Sequence, residues 1–152
     1  MSEHLKKAEE LRAIVTPHYN CAQSVLVPFA KDCGLTEEQA YKVGAHFGAG
    51  MKIGQTCGAI TGALMVLGLL YGQYDKADSH SREIANQVND LMMEKFAEVS
   101  GSYICNDLLG CDVRTEEGVK YCFDNNLFTE FCPKMVANAV DILEEIISEY
   151  DD

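Results

Sequence analysis

A chain of 152 residues with 47% hydrophobic composition can bury one ordinary core and is too short for two, so a single domain over residues 1–152 is expected. Its 24 acidic against 12 basic residues give a formal net charge of −12, which offers no footprint for phosphate backbones or anionic lipid surfaces. Nucleic acid is thereby excluded as an expected partner.

The opening segment, MSEHLKKAEELRA, lacks the apolar stretch and small-residue cleavage site of a secretory signal. A reducing cytoplasm is the expected location, where structural disulfides are disfavoured. Leu5, Ala8, Leu11 and Ile14 or Val15 recur at helical spacing and predict a helix over 3–15, closed by Thr16 and Pro17. Asn20 followed by Gln23 resembles a capping box; it opens a second helix with Cys21 in its first turn, running toward Lys31. Pro28 should bend or shorten that helix, and Gly34 should stop it. Thr36 with Gln39 repeats the capping pattern and introduces a third helix that ends in the glycines of HFGAGMKIG.

Residues 48–54 form a glycine-rich loop into a fourth helix, capped by Gln55 or Thr56, with Cys57 in its first turn and Gly72 as its end. The stretch Ile53 to Leu70 carries no charge and approaches the length of a membrane span. Gln55, Thr56, Cys57 and Thr61, together with the recurring glycines, argue instead for a central helix buried on all sides by its neighbours, so no membrane insertion is expected. Asp78 or Ser79 opens the longest helix, through about Val99, with Ile84, Val88, Leu91, Met92 and Phe96 along one side. A short helix over Cys105 to Leu109 follows, stopped by Gly110; a Thr115-capped helix then runs from Glu116 to Phe123 and ends at Asn125 and Asn126. The last helix, from about Pro133 to Tyr150, places Val136, Val140, Leu143 and Ile147 on one face, and its many carboxylates on a solvated one. No β-alternation and no long repeat competes. The expected fold is all-α, a compact bundle of about five longer helices with one or two short ones.

Four of the seven cysteines, Cys21, Cys57, Cys105 and Cys132, sit at these predicted helix starts. A helix N-terminus presents free N–H groups and the positive end of the macrodipole, which favours a thiolate. Around Cys57, the glycines at 54, 58 and 62 fall four apart. Where helical, they would leave a side-chain-free groove for a second backbone or a bulky inorganic group, making Gly54, Gly58, Ala59 and Gly62 candidate cofactor-binding positions. Tight packing of two helices is the favoured reading of the glycines alone, and the cysteine at the mouth of the groove is what shifts the balance.

In these residues the chain resembles the redox-active proteins named for their C…GCAxxG…C…C cysteine pattern. Cys21 in NCAQSV looks like the first cysteine; Cys57, Gly58, Ala59 and Gly62 in TCGAITG match the central motif; Cys105 in CNDLLG and Cys132 in CPKMV look like the third and fourth. Threonine stands where the family's name writes the glycine of GCA. The resemblance covers roughly residues 15 to 145 and implies a redox role centred on the four cysteines; it names the site better than the reaction.

Three chemistries are open. The first is an iron–sulfur cluster or another thiolate-bound metal on Cys21, Cys57, Cys105 and Cys132, serving electron transfer with a redox partner protein. The separations of 36, 48 and 27 residues contain no C-x-x-C knuckle, so such a site must be assembled by the tertiary fold. The second is thiol–disulfide chemistry on the same cysteines, with Cys57 as nucleophile and His46 as the only plausible base, His4, His18 and His80 lying in polar or terminal settings. The third is a non-catalytic interaction module in which the cysteines are small buried hydrophobes. Cys33, Cys111 and Cys122 read that way, although Cys111, six residues from Cys105, could back up the site. A homodimer through apolar helix faces stays open.

Overall fold

The computed structural model describes residues 2–14 and 19–151. The described residues form eight α-helices and no strand: α1 Glu3–Ala13, α2 Cys21–Phe29, α3 Glu37–Gly44, α4 Gly58–Tyr71, α5 Ser79–Ser100, α6 Cys105–Leu109, α7 Glu116–Asp124 and α8 Cys132–Tyr150. The all-α expectation holds. The reading of Val15, Thr16, Pro17 and His18 falls outside the described residues.

Local capping chemistry sets most helix starts. The Asn20 side chain accepts from Gln23 N–H (2.8 Å) while the Gln23 side chain accepts from Asn20 N–H (3.0 Å), so two orphan donors at the head of α2 are satisfied reciprocally. Thr36 and Gln39 do the same for α3. Asp78 caps α5 by accepting from Ser81 N–H, and Thr115 caps α7 by accepting from Gly118 N–H. Pro28 lies inside α2, which ends one residue later at Phe29, short of Lys31.

The core is built on α2, which packs against α1, α3, α4 and α8, while α4, α5 and α8 pack against one another. Leu26 and Phe29 of α2, Ile60 and Val66 of α4, Met92 and Phe96 of α5, and Val140, Leu143 and Ile146 of α8 are all fully enclosed. Each such large side chain contributes roughly 1.5–3 kcal/mol by leaving water. The α4 helix is central for most of its length, but it is not buried on all sides as expected: Gly68 and Leu69 in its last turns face solvent. Its apolar run is long because three helices cover its first part. No helix among the described residues is long and apolar enough to cross a membrane.

Two local features fall outside the helical periodicity. Thr56 and Ile104 form an isolated antiparallel bridge. Ahead of it, Ala49, Gly50, Met51 and Lys52 all take left-handed backbone conformations, with φ between 50° and 66°, and Gly54 has φ +73°. A side chain on a left-handed residue costs about 1 kcal/mol, so Ala49, Met51 and Lys52 are held there against their preference.

Candidate functional site

The four expected helix-start cysteines do occupy helix starts. Cys21, Cys105 and Cys132 are the first residues of α2, α6 and α8, and Cys57 immediately precedes α4. Packing of α2 on α4 and α8 gathers three of these ends. The fourth is brought in by the bridge: Cys57 N–H donates to Tyr103 O (2.7 Å), and Cys105 N–H donates to Gln55 O (2.6 Å). Periodicity could not reveal that bridge, because one residue pair has no repeat.

All four cysteines line one cavity of about 450 Å³. Its walls are largely apolar, with Leu108, Leu109, Phe128, Phe131 and Met135 among them. The charged residues lining it are Arg12 and Lys52; no carboxylate does so among the described residues, although the chain carries a net charge of −12. Arg12 reaches in from α1 and is fixed by two donated hydrogen bonds, Nη1 to Tyr19 O (2.6 Å) and Nη2 to Phe128 O (2.8 Å). Its buried Nε–H finds no acceptor among the described residues. Arg12 escaped the sequence reading because its partner Phe128 lies 116 residues away.

The thiols differ in what surrounds them. The neighbouring Cys132 thiol, with the Arg12 charge, outweighs burial and pulls Cys21 from its ordinary 9.0 down to about 7. The same contact pushes Cys132 strongly upward, so the two behave as one coupled pair. Cys57 moves against expectation. It is 5% exposed, and burial pushes its thiol up to about 12; the neighbouring Cys21 adds to this, while the N–H groups of Ala59 and Ile60 only partly offset it. Cys105 is also pushed up to about 12, by burial and then by Cys21 and Cys111. The low-pKa position is therefore Cys21 rather than Cys57, because desolvation at Cys57 exceeds the helix-end effect. Replacing Arg12 with Met should raise the pH midpoint of Cys21 alkylation above 7, while Arg12→Lys should keep part of the depression; a pH profile of iodoacetamide labelling at Cys21 measures it.

The predicted glycine cradle dissolves into packing, with one exception. Gly54 is not on α4; its left-handed backbone sits so close to Asn106 that a Cβ would meet that side chain at 2.1 Å. A Cβ at Gly62 would lie 2.6 Å from Ala22 O, and Ala59 is wholly enclosed in the core. At Gly58 and Gly62 the groove is filled by the α2 backbone around Ala22, so these two glycines set the distance between the helices. Only Gly58 of the four lines the cavity, where a Cβ would press on Phe47 O and Cys21 Cβ. His46 is exposed and does not line the cavity.

Of the remaining cysteines, Cys33 stands apart, pushed up to about 11 by burial and by Asp32. Cys111 and Cys122 were not expected to meet, yet their sulfurs are 3.0 Å apart. Together with Cys105, Cys132, Leu109 and neighbouring aromatic rings they form a small second core.

Four helix-start cysteines thus face one cavity whose two charged lining residues are cations. A family model described as "Putative redox-active protein (C_GCAxxG_C_C)" matches residues 19–146, and the chain belongs to that family. Comparison with curated proteins and with solved structures finds no match.

Proposed function

We propose that the cavity holds an iron–sulfur cluster on Cys21, Cys57, Cys105 and Cys132 and that the protein passes electrons to or from a redox partner protein. The observation that carries this reading is the lining itself: four cysteines from four helix starts around a roomy cavity whose charged residues are both cations. Four thiolates and a cluster are anionic, and helix ends with Arg12 and Lys52 compensate that charge. The apolar walls keep water away and so bear on the potential.

The donor set suits a cluster better than a single ion. A tetrahedral ion with bonds of about 2.3 Å wants its sulfurs roughly 3.8 Å apart, and among the described residues no three His, Cys, Asp or Glu side chains are grouped closely enough to hold an ion. A cluster spreads its ligands around a larger core, which the cavity accommodates. When bound, it supplies one-electron transfer. The chain's own part is to hold Cys21 as a thiolate and to surrender the protons of Cys57, Cys105 and Cys132, so loading should release protons and tighten as pH rises.

Anaerobic reconstitution with ferrous iron and sulfide, followed by iron and sulfide analysis and a visible spectrum, tests this. Each of Cys21→Ala, Cys57→Ala, Cys105→Ala and Cys132→Ala should lose most of the bound iron. A colourless, metal-free protein after reconstitution would sink the reading. One specific observation favours a second reading, dithiol–disulfide exchange: Cys132 lies against the low-pKa Cys21, as a resolving thiol must. In that case only Cys21 and Cys132 should matter, and Cys57→Ala should leave exchange intact.

A further inference from the structure

We infer that Cys111 and Cys122 form a second redox couple, a dithiol that low-molecular-weight disulfides convert to an intramolecular disulfide. Neither cysteine lines the four-cysteine cavity, so this inference stands apart from the proposal made for it.

The geometry is that of a preassembled pair. The two sulfurs lie 3.0 Å apart although they belong to different elements: Cys111 follows α6 in a turn opened by left-handed Gly110, and Cys122 lies inside α7. The turn between them is firmly held. Asn106 Oδ1 accepts from Val113 N–H (3.0 Å), Asn106 Nδ2 donates to Asp112 Oδ1 (3.2 Å), and Thr115 Oγ1 donates to Asp112 O (2.9 Å) while capping α7. Gly118 lets α7 press against this turn, since a Cβ there would meet Asp112 O at 1.9 Å. Little chain entropy is left to lose when two thiols so placed join.

Access divides the roles. Cys111 is half-buried and Cys122 fully buried. The attacking sulfur is therefore Cys111, and the resolving one is Cys122. Cys111 loses its proton to solvent and attacks one sulfur of the small disulfide. The disulfide's S–S bond breaks, and one small thiolate leaves. Cys122 then attacks the Cys111 sulfur, displacing the second small thiolate, which takes up the Cys122 proton. Two electrons pass from the protein to the small disulfide, which ends as two thiols.

The test uses the full chain equilibrated anaerobically in glutathione buffers of rising oxidised fraction, acid-quenched, and mapped by fragmentation mass spectrometry. The expected intramolecular link outside the four-cysteine cavity is Cys111–Cys122, whether or not Cys21 and Cys132 also join, with Cys33 left unlinked. Cys122→Ser should trap glutathione on Cys111, and Cys111→Ser should leave Cys122 reduced and unmodified. Absence of the Cys111–Cys122 link in fully oxidised glutathione overturns the inference, and so does glutathione on Cys122 in Cys111→Ser. The wild-type map needs no variant to fold. It is read without reference to iron, so this couple and the proposed cluster fail separately.

Discussion

Denaturant unfolding of Gly62→Ala should show a stability loss of about 3 kcal/mol, while Gly68→Ala, less than two turns further along the same helix, should gain about 0.5–1 kcal/mol. The two substitutions add the same methyl group to the same helix, and only the surroundings differ. At Gly62 the new Cβ would lie 2.6 Å from Ala22 O and 3.1 Å from Ala22 Cα, so it strikes backbone that cannot rotate away. At Gly68 nothing lies within 4 Å, and alanine simply reduces the freedom of the unfolded chain. Because α2 carries Cys21 and α4 begins beside Cys57, forcing the two helices apart at Gly62 should also change the cavity. The alkylation rate of Cys21 near neutral pH reports that change independently of stability. Equal effects at the two glycines would show that close approach of α2 and α4 is not what Gly62 provides.

Under reducing conditions, stability should fall steeply above about pH 9. Cys57, Cys105 and Cys122 each sit near 12 in the folded protein against an ordinary 9.0. Between those values the unfolded chain has released three thiol protons that the folded chain retains, and the raised thiols of Cys132 and Cys33 act the same way, so raising the pH favours unfolding. The slope approaches about 1.4 kcal/mol per pH unit for each fully buried thiol. Three together would outrun a typical domain stability of about 5–15 kcal/mol within a few pH units. Tyr41 and Tyr71, also raised to about 12, tilt the balance the same way. Cys21 acts oppositely: lowered to about 7, it adds stability as pH rises from 7 to 9 and loses that contribution as pH falls through 7. Maximum stability should therefore lie near pH 8–9 for the cysteine contribution. Thermal melts from pH 6 to 11 measure the curve, and Cys57→Ala combined with Cys105→Ala and Cys122→Ala should flatten its alkaline limb. An unchanged limb in that triple variant would assign alkaline unfolding to other groups.

The sequence made much of the fold legible because its helix boundaries rest on local chemistry. The Asn20–Gln23 and Thr36–Gln39 boxes, the Asp78 and Thr115 caps and the Gly110 stop act over three or four residues, and all appear in the structure. The positions of the four site cysteines follow from the same signals. What the sequence hid is whatever depends on distant partners. Arg12 joins the cavity through Phe128, Cys57 meets Cys105 through a single bridge, and Cys111 finds Cys122 across a turn fixed by Asn106. The pKa order was misjudged for the same reason: the helix-end effect at Cys57 is local, whereas its burial is tertiary. Gly54 and Gly62 matched a cradle by spacing, but spacing cannot say whether a groove is empty or already occupied by another backbone.

The Arg12 to Phe128 hydrogen bond, spanning 116 residues, gives the site a timetable during synthesis. At roughly 5–20 residues per second, Arg12 leaves the ribosome some ten seconds before the carbonyl that anchors it exists. Cys132 emerges later still. Through that interval Arg12 has only the Tyr19 carbonyl to hold it, and Cys21 lacks its neighbouring thiol. The depressed thiol of Cys21 is thus a property of the finished chain, completed only when α8 packs on α1 and α2.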